Sequence, residues 1–446
     1  MIRWLALALL FNTAPQGLAP VGTPASDILA FPSAEGHGRF ALGGRGGRVF
    51  HVTHLGDSGP GSLRAAIEAR GPRTIVFETA GTITLASPLK VSQGRVTLAG
   101  QTAPGGGVTL RGQPLIIAAD DVVIRHIRVR LGDETGVQED AVTVSRGRRI
   151  IIDHVSASWS VDETLSVGSR YDPPEQGVYD VTVQWSLIAE SLNNSVHGKG
   201  RHGYGSLVRG GHGARMSFLY NLWANHQARM PRPGNYNGPD IDPVGGVFEF
   251  RNNVFYNWGG EASGYNADKA QHAAYDFIGN SYLPGPDSKG AMAFCEENSL
   301  SRAWFADNAM GGAVPADPWS LVGCRPPKGY RAPAPLAASG PLRFTAAQAE
   351  AVVLDRAGAG PVRDAVDTRI VTGVRSRDGR LIDSQSQVGG WPPLRPGSAP
   401  PDLDRDGMAD AWERRNGLDP ANPADGASDR NGDGYTNLED YLNGLT

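Results

Sequence analysis

Short apolar runs recur along the middle of the chain, between about residue 90 and residue 310. They are Val122–Ile124, Ile150–Ile152, Val181–Val183, Met216–Phe218, Val247–Phe250, Tyr275–Phe277 and Trp304–Phe305. Each has strand length and is bounded by polar or glycine-rich turns. Superimposing the runs also superimposes four asparagines, Asn221, Asn253, Asn280 and Asn308, at intervals of 32, 27 and 28 residues. A period in this range predicts a solenoid. The uneven spacing predicts loops of varying length leaving each turn. One coil of short strands cannot bury its apolar face alone, and stacking coils closes the core. Matching asparagines then lie above one another and can join their amides in a buried ladder. Two short helices are predicted at the flanks. Leu63, Ala66 and Ile67 share one helical face behind the cap candidate Ser62, and 345–357 reads as a second helix after the last coils.

Composition agrees with a turn-rich fold. The 446 residues include 59 glycines and 32 prolines without a triplet period, against an ordinary 40% apolar and 20% charged content. A net charge of −4 excludes a strongly basic nucleic-acid surface. Cys295 and Cys324 are too few for a disulfide scaffold or a Cys-rich zinc site. At the start, Arg3 precedes the eight-residue apolar run Trp4–Phe11, and small residues and prolines follow. Residues 1–25 thus read as a secretory signal, with Ala19 and Ala25 as alternative cleavage positions. Eight apolar residues cannot cross a bilayer, which needs about 20. The expectation is a secreted, soluble monomer with no membrane or nucleic-acid partner. An oxidising compartment permits a Cys295–Cys324 bridge, and both thiols staying free is the alternative.

Five motifs carry a resemblance: Phe31–Arg39, Gly43–Gly47, Asp57–Arg64, Ala99–Pro104 and Ile152–His154. Together they resemble the pectate lyase family over about residues 28–390. The resemblance implies an all-β fold, a right-handed parallel β-helix, and an extracellular enzyme acting on polygalacturonate or pectin.

The chemistry has to remove a weakly acidic proton. In a uronic-acid polymer a base takes the C5 proton beside the carboxylate, and the 4-linked sugar leaves. Cations best spread the charge that develops, so acids holding Ca²⁺ beside basic groups are expected. Gln138–Asp140 and Val161–Glu163 follow strands of adjacent coils, and hard oxygen ligands suit Ca²⁺. The family carries calcium-binding acids in these coils. Asp140 and Asp162 match best and Glu163 is next, while Gln138 and Ser166 stand where further acids are common. Ala228–Arg232 resembles the family's Arg-x-Pro motif, which makes Arg229 the C5 base. A guanidinium is normally protonated, so nearby cations or alkaline pH must help. Arg232 is the candidate grip on a substrate carboxylate. A second arginine of some relatives falls near Gly234 here. The family lysine falls at Asn193 or Asn194, and Lys199 or His197 is the candidate substitute; His197 and His202 as ordinary loop residues remain the alternative. Trp159, Tyr204, Trp223, Trp258 and Tyr265 are aromatics that either stack on sugars or pack the core. The rival readings are a β-helix polygalacturonase, which would need paired carboxylates around a water, a pectin lyase, and a non-catalytic carbohydrate-binding β-helix.

The tail has its own signature. A proline-rich linker at 391–401 leads to two EF-hand-like loops within 402–446. In the first, Asp402, Asp404, Asp406, Asp410 and Glu413 occupy ligand positions; in the second, Asp429, Asn431, Asp433, Asn437 and Asp440 do. The pair resembles dockerin-type calcium repeats. A structural Ca²⁺ module is expected, with docking to a partner protein as the alternative.

Overall fold

Each coil repeats one local pattern. A strand of a first sheet ends in a residue with left-handed backbone, a strand of a second sheet follows, and a loop leads to a third. The left-handed corners include His126, His154, Trp185, Tyr220, Asn252 and Asp307, with φ between 50° and 60°. Side chains larger than glycine adopt this region at a cost of roughly 1–2 kcal/mol. The corner is held because the next residue is tied down. Asn221 Nδ2 donates to Asn253 Oδ1 at 3.1 Å, Asn253 to Asn280 at 3.1 Å, and Asn280 to Asn308 at 2.9 Å. Each Oδ1 also accepts the backbone N–H of the asparagine one coil earlier. The asparagine ladder expected from the sequence is thus present.

Ten parallel strands form the first sheet, from Arg48–Val52 to Ser301–Ala306, so the computed structural model is a parallel β-solenoid of about ten turns. It describes residues 28–168 and 174–446; the proposed signal segment lies outside the described residues. Register repeats from coil to coil, with Ile150 opposite Val181, Met216, Phe248, Tyr275 and Ala303 in succession. Identical positions therefore stack inside. Phe218, Phe250, Phe277 and Phe305 form one aromatic file, with centroids 5.5, 4.9 and 4.7 Å apart. Trp223, Phe255 and Tyr282 form another.

The predicted helices are present as Leu63–Glu68, capped by Ser62, and Ala346–Arg356, with a Thr345/Gln348 capping box. A further helix, Ala365–Ser376, had no clear sequence signal. It docks through buried Asp367, which accepts from Arg130 at 2.9 Å. Cys295 and Cys324 are disulfide-bonded across the last coils.

The 391–401 stretch lies along the solenoid instead of hanging free. Trp391 meets Trp159 edge-on at 5.3 Å, and the Gly106 N–H donates to the Arg395 carbonyl. The tail carries two short helices, Asp410–Asn416 and Asn437–Asn443. Met408, just before the first of them, and Leu438, Tyr441 and Leu442 of the second pack on Val76 and Ala99 of the first sheet. No described helix is long and apolar enough to cross a membrane.

Candidate functional site

The loops that join the second sheet to the third stack on one another, and they carry the predicted chemistry. Parallel bridges pair Glu163 with Tyr204 and Tyr204 with Ala228, so three consecutive coils are in register there. Asp140, Asp162 and Glu163 each place a carboxylate oxygen within 4.8 Å of the others. Asp140 accepts from the Glu163 N–H at 3.2 Å and from the Thr143 hydroxyl at 3.0 Å. Burial, and then the charge of Asp162, push the Asp140 carboxyl up to about 7.

Arg229 reaches this cluster from the next coils. Its Nη1 forms a close ion pair with Glu163 Oε1. Its guanidinium lies 3.9 Å from the Tyr204 ring centroid, and its Nε donates to the Tyr265 hydroxyl at 3.4 Å. Base candidate and acids therefore meet across neighbouring coils. Arg232 lies beside them, 5.2 Å from the Tyr265 ring and 3.9 Å from Asp268. Its pKa is lowered, first by burial and then by Arg229 and Arg209.

The 190–206 loop crosses above. His202 Nε2 is 2.9 Å from Asp162 Oδ1, and His197 Nε2 is 3.8 Å from Oδ2. The two imidazoles stack at 3.9 Å, and His202 meets Tyr204 edge-on at 4.5 Å. A continuous chain of contacts thus runs from Asp162 through His202 and Tyr204 to Arg229. Lys199 is exposed on the same loop; its N–H donates to His197 Nδ1. Among the aromatics, Trp159, Trp223 and Trp258 are core, whereas Tyr204 and Tyr265 belong to the site.

Arg209 is a site residue that the sequence reading missed. Arg209 pairs across coils with Gly234. A Cβ on Gly234 would lie 2.0 Å from Arg209 Nη1 and 2.3 Å from Asp268 Oδ2. The absent side chain leaves room for a guanidinium supplied one coil earlier, and Arg209 is held bidentately by Asp268. The register of Arg209 and Gly234 could have revealed this, but only once coil lengths were known.

The tail loops also gather acids. Asp402, Asp404 and Asp406 bring oxygens within 4.8 Å. Both oxygens of fully buried Glu413, and Asp425 Oδ1, lack hydrogen-bond partners. Burial and then neighbouring carboxylates push Asp406 and Glu413 up to about 7 each. Asp425 was not foreseen; it lies between the two motifs. Asp410 instead accepts from the Leu403 N–H and from Arg414. Asn437 donates to the Asp425 carbonyl, which turns it from the second loop toward the first. In the second loop, Asp429 accepts from the Gly432 and Gly434 N–H groups, and Asn431 donates to Asp433 and Asp440. Burial and then Asp433 raise the Asp440 carboxyl.

A parallel solenoid with carboxylates, arginines and tyrosines gathered on neighbouring coils has the architecture of a polysaccharide lyase. The chain matches no family model. It is 36% identical over 444 residues to "Probable pectate lyase C" of Aspergillus fumigatus, covering 96% of each chain. It is 37% identical over 434 residues to the protein of the same name in Aspergillus flavus, covering 94% of each. Among solved structures, a pectate lyase bound to a hexasaccharide superimposes with a TM-score of 0.53 at 13% identity, covering 74% of this chain and 98% of that one, which speaks for the fold alone. The chain belongs to the pectate lyase family.

Proposed function

We propose that this chain is a pectate lyase that cleaves α-1,4-linked polygalacturonate by β-elimination, with Arg229 as the base. The supporting observation is the convergence of Arg229 with Glu163, Asp140 and Asp162 across neighbouring coils. Arg229, once its guanidinium has given up a proton to solvent with Ca²⁺ and alkaline pH favouring that loss, takes the proton from C5, the C–H electron pair becomes the C4–C5 double bond, and the C4–oxygen bond breaks. The departing oxygen takes up a proton. Arg232 grips a substrate carboxylate, with Arg209 behind it. Tyr204 and Tyr265 fix the plane of the Arg229 guanidinium. His197 and His202 stand beside Asp162 where the family lysine is missing, with Lys199 at the rim.

The donor set fits calcium: three carboxylates crowd together, and Asp140 is pushed up to about 7 by that crowding and burial. Bound there by Asp140, Asp162 and Glu163, Ca²⁺ would neutralise the substrate carboxylate and spread the charge that develops at C5.

The second part of the proposal concerns the tail. Residues 28–390 form the catalytic solenoid, 391–401 a packed connector, and 402–446 a calcium module. Asp402, Asp404, Asp406 and Glu413 hold one ion with Asp425; Asp429, Asn431, Asp433 and Asp440 hold another. The module is a brace and not a docking arm, because its apolar face is already buried on Val76 and Ala99. Secretion as a monomer is part of this reading, and the Cys295–Cys324 bridge supports it.

The test is polygalacturonate with and without EDTA, followed by the ultraviolet absorbance of unsaturated uronide ends. Arg229→Ala removes that signal in a chain that still folds. Reducing ends without the absorbance would show hydrolysis and refute the elimination.

A further inference from the structure

A second set of groups lies away from the clustered acids, at the corner between the first and second sheets. The acids and Arg229 sit on the loops that join the second sheet to the third, so this corner is a separate edge of the solenoid. Here the left-handed corner residues of successive coils stack on one another. His126 lies 4.8 Å from His154, His154 is 6.0 Å from Trp185, and Trp185 is 4.5 Å from Tyr220, all with nearly parallel planes. The faces of His154 and Trp185 are thus covered by their neighbours. Their edges are left for the cavity of about 750 Å³ that both line. Aromatic edges carry the positive side of the ring quadrupole.

The rest of the wall adds full positive charge. Arg125, Arg343, Arg356 and Arg363 line the cavity, against the carboxylate side chains of Glu35 and Asp355. Arg125 is engaged by Asp153 and Asn443, and Arg343 by Glu35. Asp355 is taken by Arg375, which is not part of the wall. Arg363 gives three N–H groups to the Leu354 and Ala357 carbonyls. Those bonds fix its plane and leave one N–H on each terminal nitrogen. Neither Arg356 nor Arg363 forms an ion pair among the described residues. Two guanidinium charges therefore border the cavity without a carboxylate of their own.

An independent observation points to a ligand. His126 lines the same cavity and is only 4% exposed, yet neither Nδ1 nor Nε2 has a hydrogen-bond partner. In any protonation state an imidazole carries at least one N–H. Buried polar groups are rarely left unpaired, so this donor lacks an acceptor that the chain itself does not supply.

We propose that this cavity binds a carboxylate-bearing saccharide, a short oligouronide, apart from the site of cleavage. Arg356 and Arg363 hold the carboxylates, as guanidinium does bidentately. The imidazole and indole edges face the hydroxyl oxygens, and Phe344 supplies apolar contact. The volume is that of pockets enclosing small organic ligands and is far larger than one phosphate ion fills. That the ligand is an anion rests on the wall alone; that it is a uronide rests on the lyase reading above.

The test uses the full chain carrying Arg229→Ala, so that nothing is cleaved, with Ca²⁺ present to keep the tail loops filled. Trigalacturonate is titrated by calorimetry, with maltotriose and sodium phosphate as separate probes. Two trigalacturonate sites are expected. Adding Arg356→Gln weakens one of them at least about tenfold. Adding His126→Phe, which keeps a flat ring and removes the N–H, weakens the same one, and adding Arg232→Ala weakens only the other. Trigalacturonate also protects Arg356 from phenylglyoxal, a readout that needs no change at the corner. Two sites that persist in both corner variants, an unprotected Arg356, or maltotriose or phosphate bound there as tightly as trigalacturonate would overturn the assignment. A single site lost with Arg356→Gln supports the corner and counts against the lyase reading; a single site lost only with Arg232→Ala does the reverse.

Discussion

Asn253→Ala tests whether the asparagine ladder holds the coils that carry the site. Asn253 is fully buried. It accepts from the Asn221 N–H at 2.9 Å and from Asn221 Nδ2 at 3.1 Å, and it donates to the Phe218 carbonyl at 2.9 Å and to Asn280 Oδ1 at 3.1 Å. Four bonds at about 1 kcal/mol each are lost, and the Asn221 N–H is left without an acceptor at about 1–3 kcal/mol. Neighbouring terms are not additive, so the expected loss is roughly 4–5 kcal/mol. Asn194, whose side chain is exposed, is the reference, and its replacement by Ala is worth under about 0.5 kcal/mol. Equilibrium urea unfolding of both variants gives the difference. The strand Leu222–His226 begins beside Asn221 and leads to Arg229. Activity of Asn253→Ala should therefore fall with temperature before global unfolding. A loss below about 1 kcal/mol, or equal losses at Asn253 and Asn194, would refute the view that buried amides pin the corners.

Further outcomes follow from the same geometry. Arg229→Ala lowers the elimination rate by at least about 10³-fold with the melting temperature little changed, measured by uronide absorbance. His202→Ala removes the donor beside Asp162, and calorimetry should show Ca²⁺ binding weakened by about tenfold, since charge-assisted bonds contribute about 1.5–3 kcal/mol. In metal-free protein Asp406 and Glu413, at about 7 each, keep protons that the unfolded chain releases near pH 4. Stability is then fullest below about pH 4 and falls as pH rises through about 7; melting in EDTA should show that decline between pH 5 and 8, and saturating Ca²⁺ should abolish it. Cys295→Ser opens a loop of 29 residues and should cost about 3 kcal/mol in urea unfolding under oxidising conditions.

What was legible in the sequence followed from repetition. The apolar runs and the four asparagines share one period, so the coil and its ladder could be read from residue type alone. The clustered acids Asp140 and Asp162, proposed as calcium ligands, and the base candidate Arg229 were reachable through motif resemblance. Arg209 and Asp425 were not. Arg209 matters only because Gly234 leaves space one coil later, and loop lengths hide that register. Asp425 lies between two motifs that each look complete, and it enters the first cluster because the chain folds back on itself. The helix Ala365–Ser376 was hidden for a related reason: its docking depends on Asp367 meeting Arg130, more than 230 residues away.

The crowding of like charges explains why these long-range residues matter. Asp140, Asp162 and Glu163 repel one another, and the fold offsets that with partners from other coils: Arg229 on Glu163 and His202 on Asp162. In the proposed reaction these partners are also the groups that face substrate. A cation entering the acids would therefore compete for what Arg229 and His202 contact, and Tyr204, which touches both, is the residue through which the two would be coupled. Tyr204→Phe keeps the ring and should keep activity within a few fold, whereas Tyr204→Ala removes the surface on which Arg229 rests. If the two substitutions cost the same in kcat, the hydroxyl and not the ring is what the site uses, and the coupling drawn through Tyr204 is wrong.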